Sequence, residues 1–179
     1  NYLISQGVQS GNRIAIRSPN NAMAVAIWLA ILRVGAIAVT TIPLQRAVAL
    51  AKIVEIGQIQ FALVDHRFIE EWAAIPNYSG KTLIVGGENG INQEVKKQSK
   101  EFEVCDTASD DVSIFAFTSG STGVPKATIH FHRDILAIAD TFSKEVVKPT
   151  KDDVFAGSPP IAFTFGLGGL VVFPFRVGA

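Results

Sequence analysis

Residues Thr118 to Lys126 read Thr-Ser-Gly-Ser-Thr-Gly-Val-Pro-Lys, nine residues carrying four hydroxyls, two glycines and a lysine. Such a stretch has almost no apolar surface to bury, but it can wrap an anion. Glycines let backbone N–H groups approach a phosphate, hydroxyls donate further hydrogen bonds, and the lysine supplies a point charge. Charge-assisted bonds of this kind contribute roughly 1.5–3 kcal/mol each. The spacing excludes a Walker A loop. Counted from Gly120, the second glycine would fall on Pro125, and Ala127 follows the lysine where Ser or Thr is required. Pro125 fixes φ and removes a donor at the base of the loop, while the glycines leave the rest free to close on a ligand and reopen.

Three further groups could do chemistry. His130 and His132 lie two apart, which on a strand would put both on one face. With no third ligand nearby they make a poor metal site, and no metal is assigned. Phe163-Thr164-Phe165-Gly166 opens an apolar, glycine-rich run, Gly166-Leu167-Gly168-Gly169. This run does not fit a dinucleotide fingerprint, because Val171 stands where the last glycine belongs. Aromatics in such a run ordinarily build core. His66, after Asp65, reads as a turn residue with no assigned partner.

The elements that must position these groups follow from pattern. Ser113 to Phe117 and Ala127 to Phe131 are β-prone and flank the loop, which predicts a strand–loop–strand hairpin. Arg13 to Arg17 alternates as a strand. Asn20 or Asn21 caps a helix running to about Val34 and ended by Gly35, and a buried strand follows from Ala36 to Thr41. Gln45 to Gln58 is helical in pattern, Phe61 to Val64 a strand, Phe68 to Ala74 a helix and Thr82 to Val85 a strand. Gly86 to Gly90 is a turn-rich loop. Asp134 is expected to cap a helix from Ile135 to Val147, Asp153 to Ala156 to form a strand, and Leu167 to Phe173 to be helical. Helices alternating with short apolar strands mean an α/β domain on a largely parallel sheet, without repeats or a second domain.

Composition narrows the function classes. Of 179 residues, 48% are hydrophobic and 18% charged, which is the balance of a core-forming chain rather than a disordered one. Zero formal net charge argues against a nucleic-acid footprint. The basic cluster Lys96-Lys97-Gln98-Ser99-Lys100 is answered by Glu101 and Glu103 and reads as a solvated face. The one cysteine, Cys105, excludes an internal disulfide framework, fits a cytoplasmic protein and reads as a small semi-buried hydrophobe. Arg33 and Gly35 interrupt the apolar stretch Ala22 to Leu44, so it reads as a buried helix and strand rather than a membrane span. No secretory leader is visible at Asn1, and the start without Met suggests truncation. The apolar run from Ile161 to Ala179, with Arg176 its only charge, predicts a piece of a longer protein and self-association through an uncovered surface.

Thr118 to Lys126 resembles the phosphate-binding loop of the adenylate-forming superfamily: acyl-CoA synthetases, peptide-synthetase adenylation domains and luciferases. Ala127-Thr128-Ile129-His130-Phe131-His132-Arg133-Asp134 is similar to the aryl-acid branch, benzoate and 2-aminobenzoate CoA ligases, including Ala127 where most of the superfamily has glycine. Leu32 to Val39 is similar to an upstream helix-to-strand motif, and Pro159 to Gly166 to a downstream acyl-pocket motif. The resemblance implies part of the large N-terminal domain of an ATP-dependent carboxylate–CoA ligase using ATP, Mg2+, CoA and a small carboxylic acid. It implies that Thr118, Ser119, Gly120, Ser121, Thr122, Gly123 and Lys126 hold ATP phosphates. Phe163, Thr164, Phe165 and Gly166 would line an acyl pocket; many members place histidine where Phe163 stands, and an aromatic there suits a flat acid. It implies a loop-packing or substrate-side role for His132. It implies that the family's ribose-contacting aspartate, adenine-site motifs and C-terminal catalytic lysine would all lie beyond residue 179. The alternatives are a domain that binds ATP or an acyl group without turnover, and an α/β scaffold whose loop has no function.

Overall fold

The computed structural model describes residues 1–118 and 124–179. Ser119, Gly120, Ser121, Thr122 and Gly123, five of the predicted phosphate contacts, lie outside the described residues. Strands β1 (Arg13–Arg17), β2 (Ile37–Thr41), β3 (Phe61–Asp65), β4 (Lys81–Val85), β5 (Val112–Thr118) and β6 (Lys126–Phe131) form a sheet in the order β4-β3-β1-β2-β5-β6. All neighbours pair in parallel except β5 and β6, which form the predicted antiparallel hairpin. Helix α1 (Tyr2–Ser5) precedes β1, and helices α2 (Ala22–Arg33), α3 (Ala47–Gly57), α4 (Ile69–Ala73) and α5 (Asn92–Lys96) occupy connections between strands. The C-terminal third is helical. α6 (His132–Ile138) runs on as a π-helical stretch, Ala139–Val147; α7 (Thr164–Leu167) runs through another, Gly168–Val172, into α8 (Phe173–Val177).

Strand alternation splits the core between the two faces of the sheet. Ile14, Ile16, Ala38, Leu63, Ile114 and Ala116 pack under α2 and the C-terminal helices. Ala15, Val39, Ala62, Val64 and Phe117 pack under α3 and α4, against Leu50, Ile53 and Trp72. Burial on both faces explains why these strands read as nearly continuous apolar runs. Helix α2 presents Ala24, Ile27, Trp28 and Ile31 to the sheet at helical spacing. Its start is set by Asn21, whose side chain accepts from the Ala24 N–H at 2.8 Å. It is followed by Gly35 at φ +70°, where a Cβ would fall 2.7 Å from both Cys105 Sγ and Ser10 Oγ. Cys105 is a half-buried free thiol packed at that turn.

Four expectations need correction. The Asp153–Ala156 stretch forms no strand. The Asp153 carboxylate accepts from the Thr150 N–H at 2.6 Å and its hydroxyl at 3.0 Å, so a local turn captures the chain, and Val154 is left 92% exposed. The helix expected at Ile135 begins at His132, because carbonyls of Asp111 and Ser109 accept from the His132 and Arg133 N–H groups at 3.1 and 2.8 Å. Asp134 is therefore inside the first turn, where it accepts from the Phe131 N–H at 2.9 Å rather than serving as the cap residue. For the same reason His130 and His132 do not share a strand face: His130 is in β6, and His132 opens α6. The short helices α1 and α5 carry no strong apolar period and were not anticipated.

At the carboxyl end of β3, Asp65 is buried and accepts from the Arg67 side chain at 2.8 Å through both oxygens. These bonds hold its carboxyl below the usual range, against the opposing effect of burial. A depressed carboxyl contributes stability above its unfolded-state pKa and loses it as pH falls through the folded value. Asp65→Asn should therefore lower the urea midpoint at pH 7. The gap to the parent should narrow as pH falls below about 4. A gap independent of pH would contradict this.

Candidate functional site

The last pair of the β5–β6 hairpin is Thr118 opposite Lys126, so the two described ends of the predicted phosphate loop face each other across the ladder. Both are exposed. Successive pairs on the same face are Ala116 with Thr128 and Ile114 with His130. The Thr128 hydroxyl donates to the Ala116 carbonyl at 3.0 Å and lies 3.2 Å from His130 Nε2. His130 Nδ1 in turn stands 4.0 Å from the Asp134 carboxylate. One face of the hairpin thus carries a polar row from Lys126 through Thr128 to His130, and the row ends at the start of α6.

Beneath that row lies a groove of about 470 Å³, a size suited to a small organic ligand. Ile114 and His130 form its floor, Ile135, Ile138 and Phe142 one wall, and Thr164, Phe165, Gly168 and Val172 the other. The walls are tied together by Arg176, which donates to both carboxylate oxygens of Asp140 at 2.8 and 3.1 Å. Those bonds hold the Asp140 carboxyl below its ordinary range.

Of the predicted acyl-pocket residues, Thr164 and Phe165 line the groove, and Phe165 is 79% exposed. Phe163 caps α7 and is exposed outside the groove lining. Gly166 is buried, and a Cβ there would overlap the Pro160 carbonyl oxygen. Gly166 therefore lets α7 sit tightly on the preceding turn. His132 is also outside the lining; the groove histidine is His130. The alternation of Lys126, Thr128 and His130 was the available signal for this, once β6 is ended at Phe131. Among the described residues, no group of three His, Cys, Asp or Glu side chains comes together as a metal site. No helix among them is long and apolar enough to cross a membrane.

The family model described as AMP-binding enzyme matches residues 1–179. The benzoate–CoA ligase of Thauera aromatica is 33% identical over 93 residues, 52% of this chain and 18% of that protein. The medium-chain fatty-acid–CoA ligase of Escherichia coli is 25% identical over 193 residues, covering 100% of this chain and 34% of that one. The crystal structure of the anthranilate CoA ligase AuaEII in complex with anthranoyl-AMP superposes with a TM-score of 0.90 at 25% identity, covering 100% of this chain and 36% of that one. The chain thus spans about a third or less of the length of these relatives. With an α/β fold of helices layered on a largely parallel sheet and a family match along all 179 residues, this chain belongs to the AMP-binding enzyme family.

Proposed function

We propose that this chain is the phosphate-loop portion of the N-terminal domain of an ATP-dependent acid–CoA ligase, and that the acid is aromatic, of the benzoate or 2-aminobenzoate kind. The observation carrying the proposal is the shared face of the hairpin. Thr118 and Lys126 stand at one end of it, and a mostly apolar groove lined by Phe165 lies at the other. That arrangement suits a substrate whose reacting carboxylate meets ATP phosphates while its apolar body is desolvated.

In this reading Thr118, Ser119, Gly120, Ser121, Thr122, Gly123 and Lys126 hold the β- and γ-phosphates. The carboxylate oxygen attacks the α-phosphorus, the bond to the bridging oxygen breaks, and pyrophosphate leaves with its electron pair. The CoA thiol then attacks the acyl carbon and AMP departs, leaving the thioester. The loop lowers the first barrier by matching the charge that develops on the leaving pyrophosphate. Mg2+ would enter as the ATP complex, held by phosphate oxygens. The groove's aromatic residues, Phe165, Phe142 and Phe173, favour a flat ring.

Hydroxylamine trapping tests the reading. The intact gene product carrying this chain, given Mg-ATP and benzoate or 2-aminobenzoate, should yield the aryl hydroxamate and AMP. Hydroxamate from medium-chain fatty acids alone would replace the aryl assignment. None from any acid, with ATP still bound, would favour a non-catalytic binding module.

A further inference from the structure

The groove-lining helix α7 is attached to the sheet by two side chains far away in sequence, and their placement has a functional consequence. The segment before α7, Pro159 to Ala162, has no strand or helix bonding of its own, and Pro159 and Pro160 lack N–H groups. Asn20, in the turn after β1, bridges it. Its Nδ2 donates to the Pro159 carbonyl at 2.8 Å, and its Oδ1 accepts from the Ile161 N–H at 2.9 Å. Thr40, near the carboxyl end of β2, donates its hydroxyl to the Ala162 carbonyl. The Phe163 N–H closes a turn onto the Pro160 carbonyl at 3.0 Å, and Gly166 sits against that same carbonyl. A continuous path therefore runs from Asn20 and Thr40 through the Pro159–Ala162 backbone to the first turn of α7. That turn carries Thr164 and Phe165 into the groove.

We infer that Asn20 and Thr40 are positioning residues for the acid-binding side of the site: they fix Phe165 relative to the hairpin without touching substrate. This rests on the ligase reading of the groove. Among the described residues, none of the bonds in this path involves Lys126, so the acid and nucleotide sides of the site should respond separately. Lost side-chain-to-backbone bonds of this kind cost about 0.5–1.5 kcal/mol each, or roughly two- to tenfold in an equilibrium.

The experiment is steady-state acid-dependent ATP–pyrophosphate exchange by the intact gene product and its Thr40→Val, Thr40→Ser and Asn20→Leu variants. Thr40→Val keeps the shape of the side chain and removes the donor, whereas Thr40→Ser keeps the hydroxyl. The expected result is a KM for the aryl acid raised about fivefold in Thr40→Val and Asn20→Leu, with the KM for ATP within twofold of the parent. Thr40→Ser should be close to the parent in both. Faster hydrogen exchange at the Ile161 amide in Asn20→Leu provides a readout independent of turnover. Equal changes in both KM values, no change in either, or an unaltered Ile161 amide in an active enzyme would overturn the inference alone. A parent protein that exchanges with no acid would overturn the ligase reading and this inference with it.

Discussion

Lys126→Ala lowers acid-dependent pyrophosphate exchange by roughly ten- to 150-fold, the equivalent of about 1.5–3 kcal/mol for one charge-assisted contact. The direction follows from where the side chain stands. Lys126 is exposed, directly opposite Thr118 at the end of the hairpin ladder, and contributes nothing to either core. Its removal should therefore leave the urea midpoint unchanged. The loss should appear in the rate of adenylate formation, because the proposed contact strengthens as charge builds on the leaving pyrophosphate. Lys126→Arg should recover part of the rate, since it keeps the charge but not the compact point geometry. Unchanged exchange in Lys126→Ala would remove the phosphate role from this residue.

The largest expected effect on stability belongs to Arg17. Its side chain is fully buried at the carboxyl end of β1. The guanidinium donates to the carbonyls of Ile42, Pro43 and Gln45 at 2.9, 2.8 and 2.9 Å, and more weakly to Phe68 at 3.4 Å. Burial pulls its pKa down, and the nearby Glu71 pushes it back up. Arg17 thus fastens the β2–α3 connection, and through Phe68 the start of α4, to the end of the sheet. Arg17→Met fills similar space but leaves three partly buried carbonyls without their donors. Hydrogen bonds to a charged donor contribute about 1.5–3 kcal/mol each, so with water recovering part of the loss the expected cost is about 3–5 kcal/mol, a large share of the 5–15 kcal/mol typical of a folded domain. Arg17→Lys should recover little, because one ammonium cannot reproduce the planar fork. Equilibrium urea unfolding measures both variants; a loss under about 1 kcal/mol for Arg17→Met would mean that water replaces the guanidinium.

Much of this architecture was legible from residue pattern. Asn20-Asn21 before an apolar helical period, Gly35 after it and the β-branched run to Thr41 marked α2 and β2 closely, because local chemistry decides each boundary; the structure selects Asn21 of the two. The hairpin was legible because two β-prone runs flank a segment unable to join a core. Asp153 to Ala156 failed because a short apolar run says nothing about whether a neighbouring strand is free to pair, and the Thr150–Asp153 turn captured it instead. The histidines failed for a related reason. Carbonyls of Ser109 and Asp111, more than twenty residues upstream, start α6 at His132 and leave His130 in the groove. The Asn20 bridge to Pro159 joins residues 139 apart, and neither residue type carries a signal for it. Within the string expected to line an acyl pocket, only packing separates Phe165, which enters the groove, from Phe163 and Gly166, which do not line it.

The most direct measurement is ATP–pyrophosphate exchange by the intact gene product, with benzoate, 2-aminobenzoate and a medium-chain fatty acid compared at equal concentration. Exchange should depend on added acid and be faster with the aromatic acids than with the aliphatic one. Exchange with no acid, or faster exchange with the aliphatic acid, would contradict it.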